Sequence, residues 1–92
     1  MIKVSIIIPT CNRANYLIDT LSTLRMMSEI SSAELIVIDN GSTDRTREIV
    51  ETFIKESPIP CRYVYEPTPG LHVGRNLGAQ LAQGEILAYL DD

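Results

Sequence analysis

Residues 34–46 read ELIVIDNGSTDRT, and the change of character halfway along this stretch decides the fold. ELIVID is a nearly continuous apolar run. Leu35, Ile36, Val37 and Ile38 show no polar alternation, so neither face of this strand is expected to meet water. A short strand covered on both faces belongs to a parallel sheet layered between helices. NGSTD then breaks the run with residues that bond their own backbone and favour turns. Ser42 or Thr43 is expected to cap the helix that follows, with Asp44 in its first turn where the dipole favours a negative charge. Ile49, Val50, Phe53 and Ile54 supply the apolar stripe of that helix, and Pro58 marks its end.

The same pattern repeats on both sides. Upstream, residues 3–8 (KVSIII) are β-branched and apolar, and Pro9, which cannot donate to a sheet ladder, is expected to end the strand. Leu17, Leu21 and Leu24 then recur at helical spacing, predicting a helix over 14–27 with Asn12 as its N-cap. Downstream, CRYVYE (61–66) is a third strand, PTPG a loop, and 71–83 a helix closed by Gly84 as C-cap. Residues 85–90 form a fourth strand. The order β-α-β-α-β-α-β, with right-handed crossovers, predicts an α/β fold. It is half of a doubly wound, mainly parallel sheet with helices on both faces.

Bulk properties remove several alternatives. A chain of 92 residues is one domain or part of one, and 45% hydrophobic with 22% charged residues is ordinary globular composition. A net charge of −4 argues against nucleic acid as a partner. No apolar run reaches the roughly 18–20 residues that span a bilayer, and the N-terminus lacks a signal-peptide cleavage site. The expectation is a soluble, cytoplasmic chain. Cys11 and Cys61 lie far apart without metal-ligand spacing and read as reduced, buried thiols.

In such sheets, ligands bind beyond the carboxyl ends of the strands. Those ends carry Pro9-Thr10-Cys11-Asn12-Arg13, Asp39-Asn40-Gly41-Ser42, Glu66-Pro67-Thr68-Pro69-Gly70 and Asp91-Asp92. All are polar and loop-like, which fits either a shared crevice or ordinary turn chemistry. Neither GxGxxG nor GxxxxGK[ST] is present. A phosphate ligand beside Asp91 and Asp92 would need an intervening cation, and oxygen ligands suit Mg²⁺ or Mn²⁺. A frayed acidic tail is the alternative for these two residues. Gly70, Gly74 and Gly78 are spaced by four, and each interior helical glycine costs about 0.8–1 kcal/mol relative to alanine. Something must approach that face, either a neighbouring element or a ligand. Arg75 and Asn76, in the first turns of the same helix, are placed to meet phosphate, with a plain surface arginine as the alternative. His72 has no companion at metal spacing, and Tyr16, Tyr63 and Tyr65 are expected to pack on the helices or sheet.

VSIIIPTCNR, ELIVIDNGSTDRT and GLHVGRNLGAQLAQGEILAYLDD, in this order and spacing, resemble the N-terminal nucleotide-binding half of family-2 glycosyltransferases, which have the GT-A fold. The resemblance covers essentially the whole chain and implies a site. The loop at Pro9, Thr10, Asn12 and Arg13 lies beside the nucleoside, with Thr10 in contact. Asp39 accepts a hydrogen bond from the base, commonly uracil. Arg75 lies near base and diphosphate, and Asn40 and Asn76 join the same nucleotide-binding set. Asp91 and Asp92 match the start of a DXD-type motif that contacts ribose and holds the Mg²⁺ or Mn²⁺ bridging the diphosphate. The family motif often reads as three residues, and two stand here.

The implied reaction is inverting transfer from a nucleotide-sugar donor, commonly a UDP-sugar, to a hydroxyl of a glycan, lipid or protein acceptor. The implied setting is cell-envelope or polysaccharide biosynthesis, with the parent protein cytoplasmic or at the inner face of the membrane. The general base and acceptor half are expected beyond residue 92, so residues 1–92 are read as the donor-binding part of a longer domain. A sheet cut there would expose an edge open to self-association. Two other readings stand beside this one. A non-catalytic α/β nucleotide-binding or regulatory module of receiver type would want an acidic cluster after the first strand, and a nucleotidyltransferase would want a basic, Gly-rich loop there. PTCNR offers neither.

Overall fold

The computed structural model describes residues 1–26 and 32–90, apart from the side chain of Leu71. The elements follow the expected order: β1 (Val4–Thr10), α1 (Ala14–Met26), β2 (Ala33–Asp39), α2 (Thr46–Glu56), β3 (Cys61–Tyr65), α3 (Leu71–Leu81) and β4 (Ile86–Tyr89). The four strands form one sheet in the order β3-β2-β1-β4, and every pair is parallel.

All seven residues of β2 are buried, as its unbroken apolar run requires. Its two faces serve two cores. Leu35 and Val37, with Ile6 and Ile8 of β1, pack against Leu17, Leu21 and Leu24 of α1 and Val50 and Phe53 of α2. Ile36 and Ile38, with Ile7, pack against Leu77 and Leu81 of α3. Alternate side chains thus meet opposite helical layers.

Glycines let α3 lie close to the sheet. A Cβ at Gly78 would run into Cγ2 of Ile7, and one at Gly74 would stand 2.5 Å from Asn40 Oδ1. The glycine-lined face left open by the sequence is therefore a packing face. Gly84 does not close α3 as a C-cap, because the helix ends at Leu81 and Ala82 follows in extended conformation. Its small size matters for another reason: a Cβ there would lie 2.8 Å from Ser5 N.

Pro9 also departs from expectation. β1 runs through it to Thr10, paired with Ile38 and Asp39 of β2. Asn40 N–H donates to Thr10 O on the β2 side, whereas Leu90 N–H donates to Ile7 O on the β4 side. Backbone groups alternate along a strand, so Pro9 presents its missing donor to β4, where the ladder stops at Tyr89. Proline ends one pairing and leaves the other intact. The remaining boundaries shift by one or two residues, with Glu66 and Gln83 outside their elements, and Met27 lies outside the described residues.

Successive strands β1, β2 and β3 step one way across the sheet, and β4 returns to the other side of β1. This reversal makes the boundary between β1 and β4 the topological switch point, where ligands of open α/β sheets bind beyond the carboxyl ends.

Candidate functional site

Asp39, the last residue of β2, anchors the carboxyl edge and is only 1% exposed. Its Oδ1 accepts the Ser42 N–H at 2.9 Å, and its Oδ2 accepts the Tyr63 hydroxyl at 2.5 Å. Burial, and then the adjacent Asp39 carboxylate, push the Tyr63 phenol above its ordinary range, so it keeps its proton and donates. The guanidinium of Arg47, on α2, lies over the Tyr63 ring 5.6 Å from its centroid. Asp39, Ser42, Thr43, Asp44, Arg47, Tyr63 and Tyr65 line an open cleft of about 280 Å³.

Neighbouring Asn40 ties three strand ends together. Its N–H donates to Thr10 O, and its Nδ2 donates to Thr68 O at 2.6 Å and Glu66 O at 3.3 Å. Its buried Oδ1 abuts Gly74 and accepts no hydrogen bond within the described residues. The contact sets the β2 end against the first turns of α3, one residue before Arg75.

The β1 loop combines buried Pro9 and Thr10 with exposed Cys11, Asn12 and Arg13. Asn12 does not cap α1. It adopts φ 52°, its N–H donates to Ser42 Oγ at 2.9 Å, and its Oδ1 accepts Thr43 N–H at 2.8 Å. The capping role falls to Asp44. One of its oxygens accepts Ala14 N–H at the start of α1, and the other accepts Thr46 N–H and the Thr46 hydroxyl at the start of α2. Ser42 and Thr43, expected to cap α2, instead bond the β1 loop. The Thr46 hydroxyl, as the largest influence, holds the Asp44 carboxyl below its usual range. Arg13 stacks on Tyr16, with its guanidinium 4.3 Å from the ring centroid.

Arg75 is exposed on α3, and its guanidinium lies 5.8 Å from the centroid of the Tyr89 ring. The Tyr89 hydroxyl donates to Arg75 O at 3.5 Å. Arg75 thereby sits at the last residue of β4, with exposed Asn76 beside it. Asp91 and Asp92 lie outside the described residues. Among the described residues, no group of three His, Cys, Asp or Glu side chains is placed to hold a metal ion.

Several expectations need revision. Cys11 is exposed and Cys61 partly buried, so the two thiols are not both core residues, although burial pushes the Cys61 thiol up to about 12. Tyr16 and Tyr65 are 60% and 49% exposed rather than packed away, and Tyr63 joins the Asp39 hydrogen bonds. The signal for Tyr63 and Tyr65 was their spacing of two: β3 pairs them with Val37 and Asp39, which places all four on one face of the sheet. His72 is exposed in the first turn of α3. No helix among the described residues is long and apolar enough to cross a membrane.

An open parallel sheet between helical layers, with polar side chains gathered at its carboxyl edge, defines an α/β domain whose carboxyl edge is the candidate ligand site. The sequence profile of glycosyl transferase family 2 matches residues 5–92, and the chain belongs to that family. Over 90 residues it is 42% identical to validoxylamine A glucosyltransferase of Streptomyces hygroscopicus subsp. jinggangensis, a match covering 95% of this chain and 21% of that protein. A mannosyltransferase from Pyrobaculum calidifontis, solved in complex with GDP-Man and Mn²⁺, is similar with a TM-score of 0.85 at 28% identity, over 97% of this chain and 27% of its own. S. aureus TarS in complex with UDP-GlcNAc is similar with a TM-score of 0.81 at 28% identity, over 98% of this chain and 26% of its own. The four-stranded parallel sheet with three helices matches the GT-A fold of these neighbours. The chain spans about a fifth of the length of the curated relative.

Proposed function

We propose that residues 1–92 are the nucleotide-sugar-binding part of a glycosyltransferase domain whose parent protein transfers a glycosyl group, with inversion, to an acceptor hydroxyl. The observation that carries this reading is the gathering of Asp39, the β1 loop and Arg75 along one edge of the sheet. In this reading Pro9, Thr10, Asn12 and Arg13 flank the nucleoside, and Asp39 accepts a hydrogen bond from the base. Asn40 supports the same loops, and Arg75 and Asn76 meet the diphosphate. Asp91 contacts the ribose. The donor is a UDP-sugar; relatives of this fold solved with UDP-GlcNAc and GDP-Man support a nucleoside diphosphate sugar as the class.

A divalent ion, Mg²⁺ or Mn²⁺, held through Asp91 and Asp92 would neutralise charge on the departing diphosphate. The complex of the Pyrobaculum relative with Mn²⁺ supports such an ion. The general base and the acceptor site are assigned beyond residue 92, so the 92-residue chain alone is expected to bind weakly and turn nothing over. Calorimetric titration with UDP and GDP, with and without Mn²⁺, should reveal weak binding strengthened by the ion. A longer parent chain that neither transfers nor hydrolyses any of a panel of sugar nucleotides would defeat the proposal.

A further inference from the structure

Two donors hold the Asp39 carboxylate, and they differ in kind. The Ser42 N–H is backbone and is present whatever side chain stands there. The Tyr63 hydroxyl is supplied by the side chain, and a phenylalanine would fill the same space without it. The hydroxyl is therefore not needed for packing, and its effect falls on Asp39. Each oxygen has accepted one hydrogen bond and retains capacity for a second. Asp39 lines the cleft that it shares with Tyr63 and Tyr65.

We infer that Tyr63 is a positioning residue for base recognition. Its hydroxyl fixes the Asp39 carboxylate as an acceptor facing the cleft. The site then takes nucleoside diphosphates whose base offers a ring N–H, as uracil and guanine do, and turns away cytosine, whose ring N3 is itself an acceptor. This inference rests on the reading of Asp39 as the base contact.

The location of the proton supports it. Burial and the neighbouring negative charge keep the phenol protonated well above neutral pH, and the Arg47 guanidinium opposes them with a smaller effect. Tyr63 therefore acts as donor across the physiological range, and Asp39 is left with acceptor positions only. A carboxylate free to rotate would offer the same acceptors, but the base would have to hold it in place itself. With Oδ1 tied to the β2 turn and Oδ2 to β3, its plane is set by two separate elements.

The test compares UDP, GDP and CDP binding to the 92-residue chain and to its Tyr63→Phe variant, by calorimetry or NMR titration. The unaltered chain should bind UDP or GDP at least about tenfold more tightly than CDP. Tyr63→Phe should lose about tenfold for the preferred nucleotide and leave CDP unchanged, so that selectivity collapses. A variant that weakens all three equally, or keeps its selectivity, overturns the role of Tyr63 while leaving the nucleotide site standing. Equal binding of all three by the unaltered chain likewise overturns the inference alone. Failure to bind any of them removes both this inference and the functional reading beneath it. A measurement on the unaltered chain covers a variant that does not fold. The Tyr63 hydroxyl proton should give a slowly exchanging downfield NMR signal that shifts on saturation with UDP or GDP and stays put with CDP. A signal that ignores all three would sink the proposal.

Discussion

β2 carries a buried acid near each end, and the two are built differently. Glu34, at the amino edge, is 4% exposed; Asp39, at the carboxyl edge, is 1% exposed. Glu34 Oε2 accepts the Ser5 hydroxyl at 2.6 Å and Gln83 N–H at 2.7 Å, while Oε1 faces the Arg62 guanidinium at 3.5 Å. Burial is the largest influence on Glu34 and raises its pKa, but Ser5, Gln83 and Arg62 together outweigh it, and the carboxyl sits below its ordinary range. Its partners come from β1, β3 and the segment after α3, so Glu34 is a junction. Asp39 has a turn amide and a phenol as partners and a cleft beside it. Burial alone does not separate an acid that joins elements from one that lines a cleft. The nature of the partners does.

The largest expected effect tests the junction. Glu34→Ala strands the Ser5 hydroxyl and the Gln83 amide, and should lower unfolding free energy by about 2–3 kcal/mol in urea titrations. Because the folded-state pKa of Glu34 is depressed, its stabilisation is present above the ordinary value of 4.5 and is lost as pH falls through the lower folded value. The unaltered chain should therefore lose stability on acidification below that point, and a Glu34→Gln chain should lose less. Nucleotide affinity should not change in either variant, since both edits lie at the far edge of the sheet. A matched fall in affinity would erase the contrast between the two acids.

Asp39→Asn should do the reverse, cutting UDP or GDP affinity by tenfold or more for about 1–2 kcal/mol of stability. Calorimetry and thermal melting of the same sample separate the two quantities. Asp44→Ala comes next, at about 1–2 kcal/mol, because it uncaps two helices at once. Circular dichroism melting measures it, and a loss no larger than that of an exposed acid would refute the double role.

The smallest effect on stability concerns β4. Ile86, Leu87 and Tyr89 are 59%, 40% and 42% exposed, and β1 is the only strand paired with β4 among the described residues. We propose that this edge drives self-association of the isolated chain. Sedimentation velocity should show oligomers growing with concentration, and Leu87→Lys should suppress them while changing stability by no more than about 0.5 kcal/mol. A monomeric chain at high concentration would end that proposal.

The fold was legible because its signals are strong and repeated. The apolar runs of β1 and β2 can be satisfied only by burial on two faces, and the Leu17, Leu21 and Leu24 spacing needs no tertiary information. Misreadings arose where a residue acts across sequence distance. Asn12 and Asp44 have the composition of local caps, yet each bonds a loop about 30 residues away. Pro9 follows the strand rule on one side and not the other, which depends on which neighbour ends first. Gly84 has the look of a helix stop and instead accommodates Ser5. Of the candidate site, Asp39 and Arg75 stood out in the sequence by type and position. Tyr63 did not, because its role exists only once β3 lies beside β2.

Asp44 has a further consequence for motion. A single side chain joins the beginnings of α1 and α2, and Asn12 with Ser42 and Thr43 fastens the loops just ahead of them. Breaking one of these bonds strains the others, so the two loops should open to solvent as one cooperative unit. In native-state hydrogen exchange, the amides of Asn12, Ala14, Thr43 and Thr46 should share one opening free energy. A molecule gripping either loop would slow exchange in both.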